Sequence, residues 1–181
     1  MTTTKKSRLL RQMTTSALCL TLCLVLPFLT GQVPQIGGML CPMHLPVLLC
    51  GFLCAPGWAT AVGVIAPLLR GVLFGMPPLY PTGLAMSLEL ATYGAVSSLA
   101  CRALPKRTPF LYASLLIAML AGRVVWGAAR AVMSGAGGAA FTWQLFLAEG
   151  FVNAVPGIAV QLLLLPPLVL ALRKSGGAGA A

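Results

Sequence analysis

The stretch CPMHLPVLLCGFLC, residues 41–54, decides the fold of this chain. It holds the only histidine, His44, between Pro42 and Pro46 at the head of a run that is otherwise apolar. The run from 43 to 55 is shorter than the ~18–20 residues that a membrane-spanning helix needs, so length alone leaves it either re-entrant or spanning. Its neighbours and the distribution of charge decide between the two.

Of the 181 residues, 59% are hydrophobic and 8% are charged. The mean hydropathy is +0.95. Soluble domains carry roughly 25% charged residues, so the composition is that of an integral membrane protein. Apolar runs at 13–30, 58–75, 83–101, 110–133 and 143–172 each reach spanning length. The net charge of +10 does not point to nucleic acid, because most cations sit at the ends of apolar runs and not on a soluble face. They form three clusters: Lys5, Lys6, Arg8 and Arg11; then Arg102, Lys106 and Arg107; then Arg173 and Lys174. If 43–55 spans, all three clusters fall on one side; if it does not, the middle cluster is stranded opposite the amino terminus. The expected fold is therefore an all-α integral membrane bundle of six transmembrane helices, forming one domain over 1–181, with both termini cytoplasmic in the cell membrane.

The outer loops then fall near 31–42, 76–82 and 135–141 and are rich in Gly and Pro, which marks them as turns or lids. Residues 1–12 form a basic cytoplasmic lead and 173–181 a flexible tail. A cleaved signal peptide is not expected, because LPFLTGQVPQ lacks an A-x-A site and cleavage would move the remaining basic clusters outward. The six cysteines, at 19, 23, 41, 50, 54 and 101, form no CxxC pair and read as small apolar packing residues.

Six ionisable side chains remain outside the basic clusters: His44, Arg70, Glu89, Arg123, Arg130 and Glu149. Burying a charge at the bilayer centre costs at least ~2.5 kcal/mol, so such residues pair or line a polar cavity. On the fifth span Arg123, Trp126 and Arg130 fall within about 60° of arc. On the fourth, Thr82, Met86, Glu89 and Tyr93 share a face, and on the sixth Glu149 and Asn153 are four residues apart. With Tyr80 in the second outer loop, these residues are the candidate wall of an outward-facing pocket for a small organic molecule. The simpler reading is that Glu89 and Glu149 only neutralise Arg123 and Arg130. Pro46 suits a first helical turn, so a helix is expected to start at His44 or Leu45, placing the imidazole at the outer rim, level with Glu149 and Arg130. Cys41-x-x-His44, with Met39, Met43 and Cys50 nearby, is too thin a ligand set to imply a metal. No cofactor is expected.

The six-helix pattern, the basic lead, and PMHLPVLLCGF followed by APLLRGVLFGMPPLYPTGLAMSLELATYGAVSSL resemble the substrate-binding S components of energy-coupling factor (ECF) transporters over residues 13–172. The resemblance implies capture of a vitamin-like micronutrient at the outer face, in lipid, with a membrane T component and two cytoplasmic ATPases as partners. The family's A-x-x-x-A docking strip on helix 1 corresponds here to Ala17-x-x-x-Thr21, beside a parallel row of Thr15, Cys19 and Cys23. The metal-binding amino terminus of the nickel and cobalt relatives is replaced by MTTTKK. The chain has no G-x-x-x-x-G-K-[ST], so ATP hydrolysis belongs to partners. A self-sufficient secondary transporter would instead use Glu89 or Glu149 as proton carrier. An enzyme is disfavoured: there is no aspartate, and no nucleophile–base pair is recognisable. For the ligand, three arginines suit an anion such as pantothenate or a folate-like molecule, whereas glutamates with tryptophans suit a purine-like ring such as a queuosine precursor.

The topology is open to a direct test. In a background without native cysteines, a membrane-impermeant maleimide added outside is expected to label cysteines placed at 32–38 and 76–82 and to leave one at 106 untouched. Outside labelling at 106 would overturn the six-pass arrangement.

Overall fold

The computed structural model describes residues 2–29, 40–105, 107–137 and 142–174. Most of the first outer loop, with Met39, most of the third, Lys106, and the tail after 174 lie outside the described residues. The described chain is helical: α1 (Thr2–Leu29), α2 (His44–Leu53), α3 (Pro56–Phe74), α4 (Leu84–Ala103), α5 (Thr108–Gly137), α6 (Trp143–Leu147) and α7 (Val155–Lys174). An irregular turn, Leu79–Gly83, leads into α4, and a wide turn, Ala148–Val152, joins α6 to α7. Pro56 opens α3, where its missing N–H costs nothing, and the Thr142 hydroxyl accepts from the Leu145 N–H to start α6.

Among the described residues five segments are long and apolar enough to cross a membrane: Lys5–Leu29, Pro56–Phe74, Leu79–Ala103, Thr108–Gly135 and Trp143–Lys174. The sixth, α2, starts at His44 as expected but has only 10 residues, about 15 Å of helix against a hydrocarbon core of about 30 Å. It is nevertheless a return pass. Its head lies level with the half of α1 remote from the basic lead, where the Cys23 thiol reaches the Met43 carbonyl at 3.6 Å. Its end lies level with the basic lead, where the Cys54 thiol approaches the Gln12 carbonyl at 3.8 Å. Eight of its residues are buried, so the short helix and its irregular approach are covered by protein, the condition under which non-helical backbone is tolerated at membrane depth.

Two further contacts fix the register. Ser98 of α4 donates to the Cys54 carbonyl at 2.9 Å, and Arg173 of α7 reaches the Cys101 thiol of α4 at 2.8 Å. The described residues of all three basic clusters therefore gather at one end of the bundle. At the other end the Tyr80 hydroxyl donates to the Met133 carbonyl at 3.3 Å.

The core forms around α2, where Val47, Leu48 and Cys50 meet Leu90 of α4, Leu115 of α5 and Leu165 of α7. Leu120, Val124 and Leu163 point outward, as a lipid-facing coat requires. Helices α3 and α4 approach most closely at two glycines. A methyl group at Gly63 would run into the Leu90 carbonyl, and one at Gly94 into the Ala59 carbonyl. Gly94→Val is expected to lower stability by about 1–3 kcal/mol or more, read as a fall in thermal midpoint in detergent. Gly57→Ala, where a methyl meets nothing within 4 Å, serves as the unchanged control.

Candidate functional site

The buried polar centre is built on one oxygen. Oε1 of Glu89 accepts from the Tyr93 hydroxyl at 3.0 Å and from Nη1 of Arg123 at 3.1 Å. Nε2 of His44 stands 3.5 Å from the same atom. That distance is at the limit for a hydrogen bond, and neither imidazole nitrogen has a hydrogen-bond partner. Three helices deliver these groups. Glu89 and Tyr93 lie one turn apart on α4, Arg123 comes from α5, and His44 opens α2 just after Cys41, whose left-handed backbone (φ 47°) turns the chain inward. The His44 N–H closes that turn on the Cys41 carbonyl at 3.0 Å.

Packing holds the centre in place. The Tyr93 ring lies edge-on to His44, with centroids 5.3 Å apart, and fits against α5 because position 122 is glycine; a methyl there would overlap the ring. Glu89 is 1% exposed and His44 3%. The expected rim position of His44 is thus corrected. The helix begins where Pro46 implies, but residues 40–43 carry the chain back inside the bundle before it starts, so the imidazole meets Glu89 and Tyr93. The partners assigned to it at the rim, Arg130 and Glu149, form a separate pair.

That pair, 3.8 Å apart, lies seven residues along α5 from Arg123, about 10 Å, and the Glu149 side chain is 40% exposed. Between the two ionic layers lies an aromatic group. Trp126 is buried and stacks on Phe146 with centroids 6.3 Å apart; Phe146 also meets Trp143 at 5.2 Å and Phe151 at 5.7 Å. Trp143, Phe146 and Phe151 escaped the sequence reading, although their spacing over the start of the last span was available as a signal.

Three candidates belong to neither ionic layer nor to the aromatic group. Arg70 is buried near the carboxy-terminal end of α3, where it donates to the Leu24 carbonyl of α1 at 2.7 Å. Its guanidinium lies 5.1 Å from the Phe28 ring and 5.3 Å from the Phe74 ring. Pro27 interrupts the α1 hydrogen-bond ladder at this level, and Arg70 supplies a donor beside the gap. Tyr80 and Asn153 are exposed. Among the described residues no group of three or more His, Cys, Asp or Glu side chains is arranged to hold a metal ion; Cys41 instead lies 3.8 Å from Nη2 of Arg123.

The fold and centre define a class: a multi-pass helical membrane protein with a neutralised polar layer buried among its helices. Residues 11–169 match the family of the ECF transporter, substrate-specific component, and the chain belongs to that family. It is the substrate-binding component of such a transporter, working with a T component and ATPases on a small-molecule substrate. No curated protein and no solved structure matches the chain.

The pairing of Glu89 with Arg123 has a measurable consequence. Removing one partner leaves an uncompensated buried charge, so Glu89→Gln or Arg123→Met alone is expected to cost about 3–5 kcal/mol. The double variant is expected to recover much of that loss. A double-mutant cycle on unfolding in mixed micelles measures the coupling, and strictly additive losses would dissolve the pair as an energetic unit.

Proposed function

We propose that the protein captures a vitamin-like organic micronutrient from the outer face and passes it to an ECF energising module through α1. The observation that carries this reading is the His44–Glu89–Tyr93–Arg123 centre, an enclosed polar site in which His44 Nε2 stands 3.5 Å from Glu89 and Nδ1 has no hydrogen-bond partner, beneath an aromatic group at the end remote from the basic clusters. By the positive-inside rule that remote end faces outward and both termini face the cytoplasm. Capture and driving force are divided: the bundle supplies recognition, and partners supply ATP hydrolysis.

The two rows of small residues on α1 support the docking assignment. Cys19 and Cys23 of the parallel row are buried within the bundle. Ala17 and Thr21 are exposed, and the Thr21 hydroxyl folds back onto the Ala17 carbonyl at 2.9 Å. With its polar hydrogen satisfied, the Ala17–Thr21 strip offers a small, smooth surface for close approach of a partner helix.

The test uses proteoliposomes and the small molecule that co-purifies with the protein, identified by mass spectrometry. The protein alone is expected to bind without accumulating substrate, and accumulation is expected on adding the energising module and ATP. Ala17→Trp and Thr21→Trp should abolish uptake and leave affinity within about twofold, since neither side chain lies in the polar centre. Uptake driven by a pH gradient in the protein alone, or equal loss of binding in the α1 variants, would sink the proposal.

A further inference from the structure

One buried polar group belongs to no interaction described so far. Gln161, the seventh of the 20 residues of α7, is 2% exposed, and its side-chain Oε1 has no hydrogen-bond partner. It is the only amide side chain on α7. An unsatisfied buried acceptor is uncommon enough in a folded protein to require a cause.

Its depth indicates that cause. Arg173 follows Gln161 by twelve residues on α7, Cys101 follows Glu89 by twelve on α4, and Arg173 and Cys101 touch. At 1.5 Å per residue both Gln161 and Glu89 stand about 18 Å from that contact, hence at a common level. Gln161 also lies on the inward face of α7, in line with Gly157, Leu165 and Val169, and α7 packs against α2 and α5, the helices that carry His44 and Arg123. The polar layer thus has a fourth contributor, and the buried atoms left without hydrogen bonds at this level are two imidazole nitrogens and one amide oxygen.

The chemistry of those atoms selects the ligand. Glu89 is matched by Arg123 and Glu149 by Arg130, and Arg70 is engaged with Leu24 between two phenyl rings. Within the Glu89 layer the carboxylate and the Arg123 guanidinium already compensate each other, which favours an uncharged ligand group there. An imidazole nitrogen can donate or accept a hydrogen bond, and a carboxamide offers an oxygen beside an NH2. Their common complement is a neutral –C(=O)–NH– edge. Trp126 follows Arg123 by about one turn on α5 and stacks on Phe146, so an aromatic group borders the layer.

We infer that Gln161 and His44 form the hydrogen-bonding edge that reads a lactam or amide group of a neutral, planar heterocyclic substrate. The inference rests on the capture reading above and narrows it to one substrate class and one further residue.

The test uses the full chain in lipid nanodiscs and three matched probe pairs: uracil with orotate, nicotinamide with nicotinate, and lumazine with lumazine-6-carboxylate. Binding is followed by calorimetry up to about 1 mM, the weak end of specific affinity. At least one neutral member is expected to bind about tenfold or more tightly than its acid, and Gln161→Leu to weaken it by about tenfold or more. Without ligand, Gln161→Leu is expected to keep or raise the melting temperature, because it removes an unsatisfied polar group from the interior. Gln161→Met, unbranched and of similar length, repeats both measurements should the leucine variant fail to fold. A fall in melting temperature without ligand in the folded variants, or an affinity within twofold of the parent, returns Gln161 to a structural role. Binding of the acids alone overturns the lactam class and leaves the capture reading standing. Failure of all six probes also overturns the class, and if no small molecule co-purifies either, the capture reading falls with it.

Discussion

A carboxylate enclosed within a membrane bundle has to be neutralised by the protein itself, and the placement of Glu89 imposes this on its neighbours. Lipid supplies neither water nor counter-ion, so the protein brings a guanidinium, a phenol and an imidazole to a single oxygen from three different helices. Several features that look unrelated follow from this. Position 122 must leave room for the Tyr93 ring, α5 must present Arg123 toward α4, and the segment after α1 must come back inside before its helix begins. A full-length second helix starting at the membrane surface would carry His44 away from Glu89; the short α2 starts at the required depth.

The two ionic pairs are not equivalent. Glu89 and Arg123 are both buried, so their attraction is strong and so is the cost of having desolvated them. Arg130 and Glu149 are longer apart, and Glu149 is well exposed, so screening reduces that pair to a weak and adaptable contact. Arg70 is a third case, a cation held by a carbonyl and two aromatic faces, tying the outer end of α1 to α3. The result is a rigid inner layer beneath a softer outer one, with the aromatic group around Phe146 between them.

Much of this was legible in the sequence because ionisable residues are rare in apolar runs. The one-sided basic clusters required an even number of passes, and the four-residue spacing of Glu89 and Tyr93 placed both on one helical face. The simpler reading of the acids, that each neutralises an arginine, is the pairing found: Glu89 with Arg123 and Glu149 with Arg130. The depth of His44 was not legible, because a run of apolar residues carries no mark of where its helix begins relative to the bilayer. Arg70 was assigned to the pocket by depth alone, whereas its partners Phe28 and Leu24 come from a helix more than forty residues away. Gln161 escaped because it has no polar neighbour on its own helix; an isolated amide makes no stripe, and its meaning appears only when four helices are set at one level.

The same physics bears on the proposed docking through α1. Helix association in lipid relies on close packing and buried polar contacts, since apolar side chains gain little by leaving hydrocarbon. Helices α3, α4 and α5 have both: glycines let α3 and α4 meet backbone to backbone, and the Glu89–Arg123 pair joins α4 to α5. Helix α1 is held on one side only, by cysteine thiols against α2 and by Arg70, and it is the least covered of the five spans, with 22% of its apolar window buried against 50% for Thr108–Gly135. It gives no polar side chain to the Glu89 centre, whose partners come from α2, α4 and α5. Helix α2 packs against both α1 and α4, so the proposed docking helix and the helix that carries Glu89 meet through it.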